Sequence, residues 1–144
     1  MKKVAIGSDH AGFELKEIIK EYLTDKEYQI EDKGCFSLES VDYPDFVHPT
    51  AEAVENNDVD FGIIICGSAN GVSMTANKRQ KIRSAIAWVP EIAKLAKEHN
   101  NANILALPAR YISSDLAKEI VDAYINAEFE GGRHQKRVDK IPCC

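Results

Sequence analysis

An α/β fold on a five-stranded, mostly parallel sheet is the fold class this sequence predicts, and three observations predict it. Apolar strand-like runs alternate with helical patterns along the chain, as βαβ units require. Ile63-Ile64-Ile65 is a β-branched run without polar alternation, the mark of a strand buried on both faces. That run ends in Cys66-Gly67-Ser68-Ala69-Asn70-Gly71 and passes into a helical pattern. Open α/β sheets bind ligands at such strand-to-helix turns, where helix-start N–H groups favour negative charge.

The elements follow in order. Lys3 to Gly7 is the first strand. Phe13 to Lys26 is an amphipathic helix, with Leu15, Ile18, Ile19, Tyr22 and Leu23 on one face. Tyr28 to Glu31 is the second strand, and Gly34 opens a long loop to Tyr43-Pro44. A helix from about Asp45 to Asn56 is expected to be bent or delayed by Pro49. The Ile63–Cys66 strand is followed by a helix over Val72 to Lys78. Arg83 to Trp88 is the fourth strand, and Pro90 begins a helix reaching about Glu98. Ala102 to Leu107 is the fifth strand. Ser114 to Ala127 is the helix after it, N-capped by Ser113 or Ser114. Gly131-Gly132 break the chain before a short basic tail.

At 144 residues and 44% hydrophobic content the chain fits one domain, residues 1–144, with a sizeable core. A formal net charge of −5 argues against nucleic acid or an anionic membrane as its partner. No apolar run approaches the ~20 residues of a membrane span, and Met1-Lys2-Lys3-Val4 leads into a strand rather than a signal peptide. Cys35, Cys66, Cys143 and Cys144 have no C-x-x-C spacing, so neither zinc nor a disulfide framework is signalled, and a reducing cytoplasm is expected.

The polar groups at the strand ends carry the chemistry. Cys66 stands beside N–H groups that open a helix, a placement that lowers a thiol's pKa and suits a base or nucleophile. An inert buried cysteine before an ordinary turn fits the same segment. Asp9 and His10 follow the first strand; Asp9 also fits a helix N-cap, whereas His10 adds nothing to a cap. Tyr43-Pro44 suits packing or a turn as well as binding. His99-Asn100-Asn101 ends a helix, where imidazolium and a left-handed Asn are favoured as caps. Arg133 and Arg137 lie four apart in an otherwise acidic chain. Stacked like charges are unfavourable unless they meet an anion, and arginine's fork suits phosphate. A solvated basic tail is the plainer reading. Arg110, just beyond the fifth strand, is placed to join the same anion site. A base, N–H donors, imidazoles and arginines together suit proton abstraction beside a carbonyl of a phosphorylated substrate.

These residues resemble the type B ribose-5-phosphate isomerases and the wider family with galactose-6-phosphate isomerase subunits. The motifs that carry the likeness are Gly7-Ser8-Asp9-His10-Ala11-Gly12, Asp42-Tyr43-Pro44, Cys66-Gly67-Ser68, Ala76-Asn77-Lys78, His99-Asn100 and Glu130-Gly131-Gly132-Arg133-His134-Gln135-x-Arg137. The resemblance implies a Rossmann-like three-layer sandwich, no metal or organic cofactor, and aldose–ketose isomerisation through a cis-enediolate. It also implies a homodimer, or a tetramer of paired dimers, with active sites built from both subunits.

By that resemblance Cys66 shuttles the proton between C2 and C1. Gly67, Ser68 and the N–H groups of Ala69, Asn70 and Gly71 hold the enediolate oxygens, with Ser68 near the hydroxyls. His99 assists ring opening, and Asp9, Tyr43 and Asn100 bind sugar hydroxyls. His10, Arg110, Arg133 and Arg137 take the phosphate, so the tail over 131–144 completes that site. One branch of the family uses a Glu just after the glycine loop as base; Val72 and Ser73 stand there instead. Ala69-Asn70 departs from the Gly-Ile or Gly-Asn of many relatives, and Cys143-Cys144 matches no family role. The reading is a cytoplasmic isomerase of ribose 5-phosphate and ribulose 5-phosphate. An isomerase of allose or galactose 6-phosphate and a non-catalytic phosphosugar-binding protein are its rivals.

Overall fold

The computed structural model describes residues 2–143; Cys144, and with it half of the terminal cysteine pair, lies outside the described residues. Five strands form one sheet: β1 (Lys3–Ser8), β2 (Gln29–Gly34), β3 (Phe61–Cys66), β4 (Ser84–Ile86) and β5 (Ile104–Pro108). Their order is β2-β1-β3-β5-β4, and all four pairings are parallel. The helices between and after them are α1 (Phe13–Asp25), α2 (Pro44–Glu55), α3 (Asn70–Ala76), α4 (Pro90–Asn100), α5 (Ser114–Asn126) and α6 (Arg133–Val138).

Strand alternation divides the apolar residues between two cores. On one face Val4, Ile6, Ile63, Ile65, Leu105 and Leu107 pack beneath α1, α4 and α5 through Leu15, Ile19, Ala93, Ile120 and Val121. On the other, Ala5, Ile64, Cys66, Ile104 and Ala106 pack beneath α2 and α3 through Val47, Ala51, Val54, Val72 and Ala76. The molecule is thus a three-layer α/β/α sandwich. β3 is buried along its whole length, as its unbroken apolar run requires. Cys66 falls on the α2–α3 side, which sets the direction of its thiol.

The strands and helices sit where the sequence places them, with shifts that have local causes. α2 begins at Pro44, with proline in its first turn, and Pro49 lies inside it; Pro49 does not delay it. β4 is three residues long rather than the expected Arg83 to Trp88. The backbone N–H of Arg83 is taken by the Asn103 side chain at 2.8 Å, and Val89 and Pro90 already start α4. α3 starts at Asn70, two residues earlier than expected, and stops at Ala76. There the Asn77 side chain makes a two-way bridge to β4: its Oδ1 accepts from the Ser84 N–H (2.7 Å), and its Nδ2 donates to the Ser84 carbonyl (3.0 Å). α4 runs on to Asn100 and is closed by Asn101 in the left-handed region, φ 47°, the role expected of an asparagine there. Ser113 is the N-cap of α5, accepting from the Leu116 N–H at 3.1 Å.

The chain leaves β1 for β2 on one side and returns to β3 on the other. The carboxyl ends of β1 and β3 therefore flank a topological switch point, the usual ligand crevice of such sheets.

Candidate active site

A cavity of about 300 Å³ opens at that switch point, lined by Asp9, His10, Ala11, Tyr43, Cys66, Gly67, Ser68, Gly71, Arg110 and Tyr111. It gathers residues from the ends of β1, β3 and β5 and from the loop before α2. Each is held by short contacts that follow from its place in the fold.

Asp9 extends β1 by donating its N–H to the Ile65 carbonyl at 3.2 Å. Its Oδ1 accepts from the Gly12 N–H at 3.0 Å, but the N-cap of α1 is Gly12, not Asp9, and has no side-chain cap bond. Gly12 has no room for a side chain, since a Cβ would lie 2.5 Å from the Ile65 carbonyl oxygen. That close approach lets α1 start directly against β3. His10 Nδ1 accepts from the Val41 N–H at 3.2 Å. This orients the ring and leaves Nε2 without a partner among the described residues.

Cys66 is 6% exposed, and its Sγ accepts from the Ala69 N–H at 3.2 Å. Ala69 reaches that geometry with φ 68°, a left-handed conformation that costs a non-glycine residue roughly 1–2 kcal/mol. The Asn70 N–H turns back to Ser68 Oγ at 3.3 Å. The amides of Ala69 and Asn70 are therefore engaged inside the loop. Among the described residues, those of Gly67 and Ser68 make no hydrogen bond within the chain. α3 is only two turns long, so individual N–H groups rather than a long helix dipole carry the electrostatics here.

Two glycines of this loop are explained by their neighbours. The Arg110 side chain lies across Gly67, within 3.1–3.4 Å of where a Cβ would stand. Its position is fixed because the N–H groups of Ala109 and Arg110 donate to the Cys66 and Gly67 carbonyls at 2.9 and 3.0 Å. Tyr43 covers Gly71, with ring carbons 2.5 and 2.7 Å from the same virtual atom. The loop that carries Tyr43 is anchored at its start by Asp32, which accepts from Lys16 Nζ (2.7 Å), Lys20 Nζ (2.6 Å) and the Gly34 N–H (2.9 Å). Burial by itself would raise the Asp32 pKa, but the hydrogen bonds from the two lysines hold it below its ordinary value. The Lys16 side chain is fully buried.

His99, Asn100, Arg133 and Arg137 do not line this cavity. α4 ends just before Ile104, at the amino end of β5, whereas Cys66 is paired with Pro108 at the carboxyl end. Four residues of strand, about 13 Å, separate the two levels. α6 packs against α4 at that opposite edge. There the His99 and His134 rings stack at 4.3 Å with 12° between planes. Glu130 Oε1 lies 3.7 Å from His99 Nε2 and 3.4 Å from His134 Nε2. Arg133 and Arg137 are exposed and have no carboxylate within salt-bridge distance among the described residues. Arg110 therefore shares no site with them inside one chain, and the basic tail does not complete the cavity of its own subunit.

Sequence reasoning missed Tyr111, 76% exposed at the cavity mouth, and Ala11. Neither residue type signals chemistry, and Tyr111 was legible only as the neighbour of Arg110. The pairing of His99 with His134 was also missed, because it arises from α4–α6 packing.

Comparison with known proteins bears on the whole chain. A family model described as Ribose/Galactose Isomerase matches residues 4–141. Ribose-5-phosphate isomerase B of Escherichia coli (strain K12) is 45% identical over 98% of this chain and 95% of its own. The crystal structure of a ribose 5-phosphate isomerase from Thermotoga maritima superposes with a TM-score of 0.97 at 49% identity, covering 98% of this chain and 97% of that one. Ribose-5-phosphate isomerase B of Mycoplasma genitalium, solved with bound ribulose-5-phosphate, gives 0.91 at 42% identity over 96% and 93%. No helix of the described residues is long and apolar enough to cross a membrane.

Proposed function

This chain belongs to the ribose/galactose isomerase family, and from that premise we propose that it interconverts ribose 5-phosphate and ribulose 5-phosphate through a cis-enediolate with Cys66 as the base. It is a sugar-phosphate isomerase; the substrate and the mechanism are our reading. One observation carries it: Cys66 Sγ sits on the cavity floor accepting the Ala69 N–H at 3.2 Å, next to two amides without internal partners. A thiolate is stabilised by such a donor, and the spare amides suit a developing oxyanion.

In the forward reaction the Cys66 thiolate removes the C2 proton of open-chain ribose 5-phosphate. The C–H electron pair forms the C1=C2 bond, and the carbonyl π pair moves onto O1. The Gly67 and Ser68 amides stabilise that charge, with Ser68 Oγ beside the hydroxyls. The C1=C2 pair then takes the proton back from the Cys66 thiol onto C1, the O2–H pair forms the C2=O2 bond, and the O2 proton passes to O1, giving the ketose and the Cys66 thiolate again. Asp9, through its second oxygen, and Tyr43 hold sugar hydroxyls; His10 and Arg110 face the phosphate.

We assign His99, Asn100, Arg133 and Arg137 to the cavity of a second copy of the chain, each subunit acting as one domain of a homodimer. Their partial or full exposure and the lack of acidic partners for both arginines among the described residues support this. His99 then opens the furanose ring, Asn100 binds a hydroxyl, and the two arginines take the phosphate. Cys35, Cys66 and Cys143 are free thiols, which fits a reducing cytoplasm. The test is an isomerisation assay with ribose, allose and galactose phosphates side by side, in wild type and Cys66→Ala. Turnover that is highest with ribose 5-phosphate and lost in the variant is expected. A preference for a six-carbon phosphate, or turnover that survives the substitution, would overturn the reading.

A further inference from the structure

The His99–Glu130–His134 cluster is more than two rings and a carboxylate that meet at a helix junction. One ligand atom from each residue lies within 4.8 Å of those of the other two, and Glu130 Oε1 is near the Nε2 of both rings. The main chain around them is fixed: the Glu130 N–H donates to the Glu98 carbonyl at 3.0 Å, and the His134 N–H to the Gly131 carbonyl at 3.0 Å. A tetrahedral Zn²⁺ with bonds of about 2.0–2.1 Å holds its donors about 3.3 Å apart. The Glu130–His134 separation of 3.4 Å already meets that spacing, and the Glu130–His99 separation of 3.7 Å nearly does.

One adjustment remains. The stacked rings are almost parallel, so their lone pairs converge only if one imidazole turns. The His99 side chain, 39% exposed, is able to turn, and neither ring makes another hydrogen bond among the described residues. His134, 12% exposed, is the fixed member. Two imidazoles and one carboxylate suit Zn²⁺, Co²⁺ or Ni²⁺ rather than Mg²⁺ or Ca²⁺, and three protein ligands leave a fourth position for water.

We propose that His99, Glu130 and His134 form a binding site for a divalent transition metal of the zinc class. Occupation takes the Nε2 lone pair of His99 and holds the ring beside α6. The metal is thereby an inhibitor, not a cofactor; this consequence rests on the ring-opening role given to His99, whereas the binding does not.

The experiment is a Co²⁺ and Zn²⁺ titration of the full-length protein carrying Cys143→Ser and Cys144→Ser, which removes the tail thiols as competing ligands. Co²⁺ should give the visible absorption of a four-coordinate ion, at one equivalent per chain, without a thiolate charge-transfer band. Glu130→Gln, which keeps shape and loses the charge, and His134→Gln should each raise the Co²⁺ dissociation constant about tenfold or more. Zn²⁺ should inhibit the parent protein at the concentration at which it binds, with chelator restoring turnover, and should inhibit Glu130→Gln far less. Absence of the spectrum, a thiolate band that places the ion on Cys35 or Cys66, or unchanged affinity in both variants would overturn the site. Binding without inhibition would support the site and contradict the role assigned to His99.

Discussion

The two edges of the sheet are built on different terms. At the carboxyl edge, four residues of the cavity are held by hydrogen bonds within the chain: Asp9 to Gly12, His10 to Val41, Cys66 to Ala69, and the Arg110 backbone to Gly67. At the amino edge, His99, Arg133 and Arg137 stand partly or fully exposed, and among the described residues the arginines have no acidic partner. The first edge is preorganised for chemistry; the second presents charge and imidazole outward. On the proposed reading, the phosphate takes groups from both edges, whereas the proton shuttle needs the thiol of the first. On that reading, the contrast makes this chain half of two sites.

The largest effect expected at the carboxyl edge belongs to the thiol. Cys66→Ala should lower kcat by about 10²–10⁴-fold, the usual worth of a general base, with substrate binding nearly unchanged. Activity above a few per cent of wild type would move the base to another residue.

At the amino edge the corresponding loss should appear in binding. Arg137→Ala should raise KM for phosphorylated sugars roughly 10- to 150-fold, as for a lost charge-assisted hydrogen bond, and weaken inhibition by inorganic phosphate. An unchanged KM would return α6 to a solvated basic helix and erase the contrast between the edges.

A smaller effect tests whether the cavity edge is preorganised by packing. Gly71→Ala forces Tyr43 off its seat, since the new methyl carbon would stand 2.5 Å from the ring. Stability should fall about 1–3 kcal/mol, the cost of overpacking, with KM rising more than kcat falls. Adding Tyr43→Ala should recover most of the stability. No recovery in denaturant unfolding would show that the clash lies elsewhere.

The smallest effect concerns the anchor of the Tyr43 loop. Because the folded-state pKa of Asp32 is lowered, its ionised form stabilises the fold above the unfolded-state value of about 3.9. That contribution disappears as pH falls through the folded-state value. The thermal midpoint should drop on acidification below about pH 4, and drop less steeply in Asp32→Asn, whatever that variant's starting stability. Equal slopes would remove Asp32 from the acid response.

Much of this was legible in the residues. Ile63–Ile65 could only be a strand buried on both faces, and the alternation of strands and helices left few other topologies. Asp9, His10 and Cys66 are placed together by the rule that parallel strands end at one edge, whereas the sequence joins Arg110 to the arginines of the tail. Other features were hidden for physical reasons. Ala69 in a left-handed conformation contradicts its own preference, so the fate of its N–H could not be read from the loop. His99 and His134 meet through packing between α4 and α6, which no local pattern encodes. The distance between His99 and Cys66 within one chain follows from helix direction. It separates two groups that the sequence motifs had put in one list of site residues.

The central claim is that each active site takes its thiol from one chain and its imidazole from another. Complementation tests it directly. Cys66→Ala and His99→Asn should each be nearly inactive alone, measured as net conversion of ribose 5-phosphate. Mixed in equal amounts, dissociated and reassembled, half the dimers pair one variant with the other, and each such dimer holds one intact site of two. Turnover should then return to roughly a quarter of wild type. A mixture no more active than its two components would contradict the shared site, and would place His99 either with Cys66 in one chain or outside the reaction.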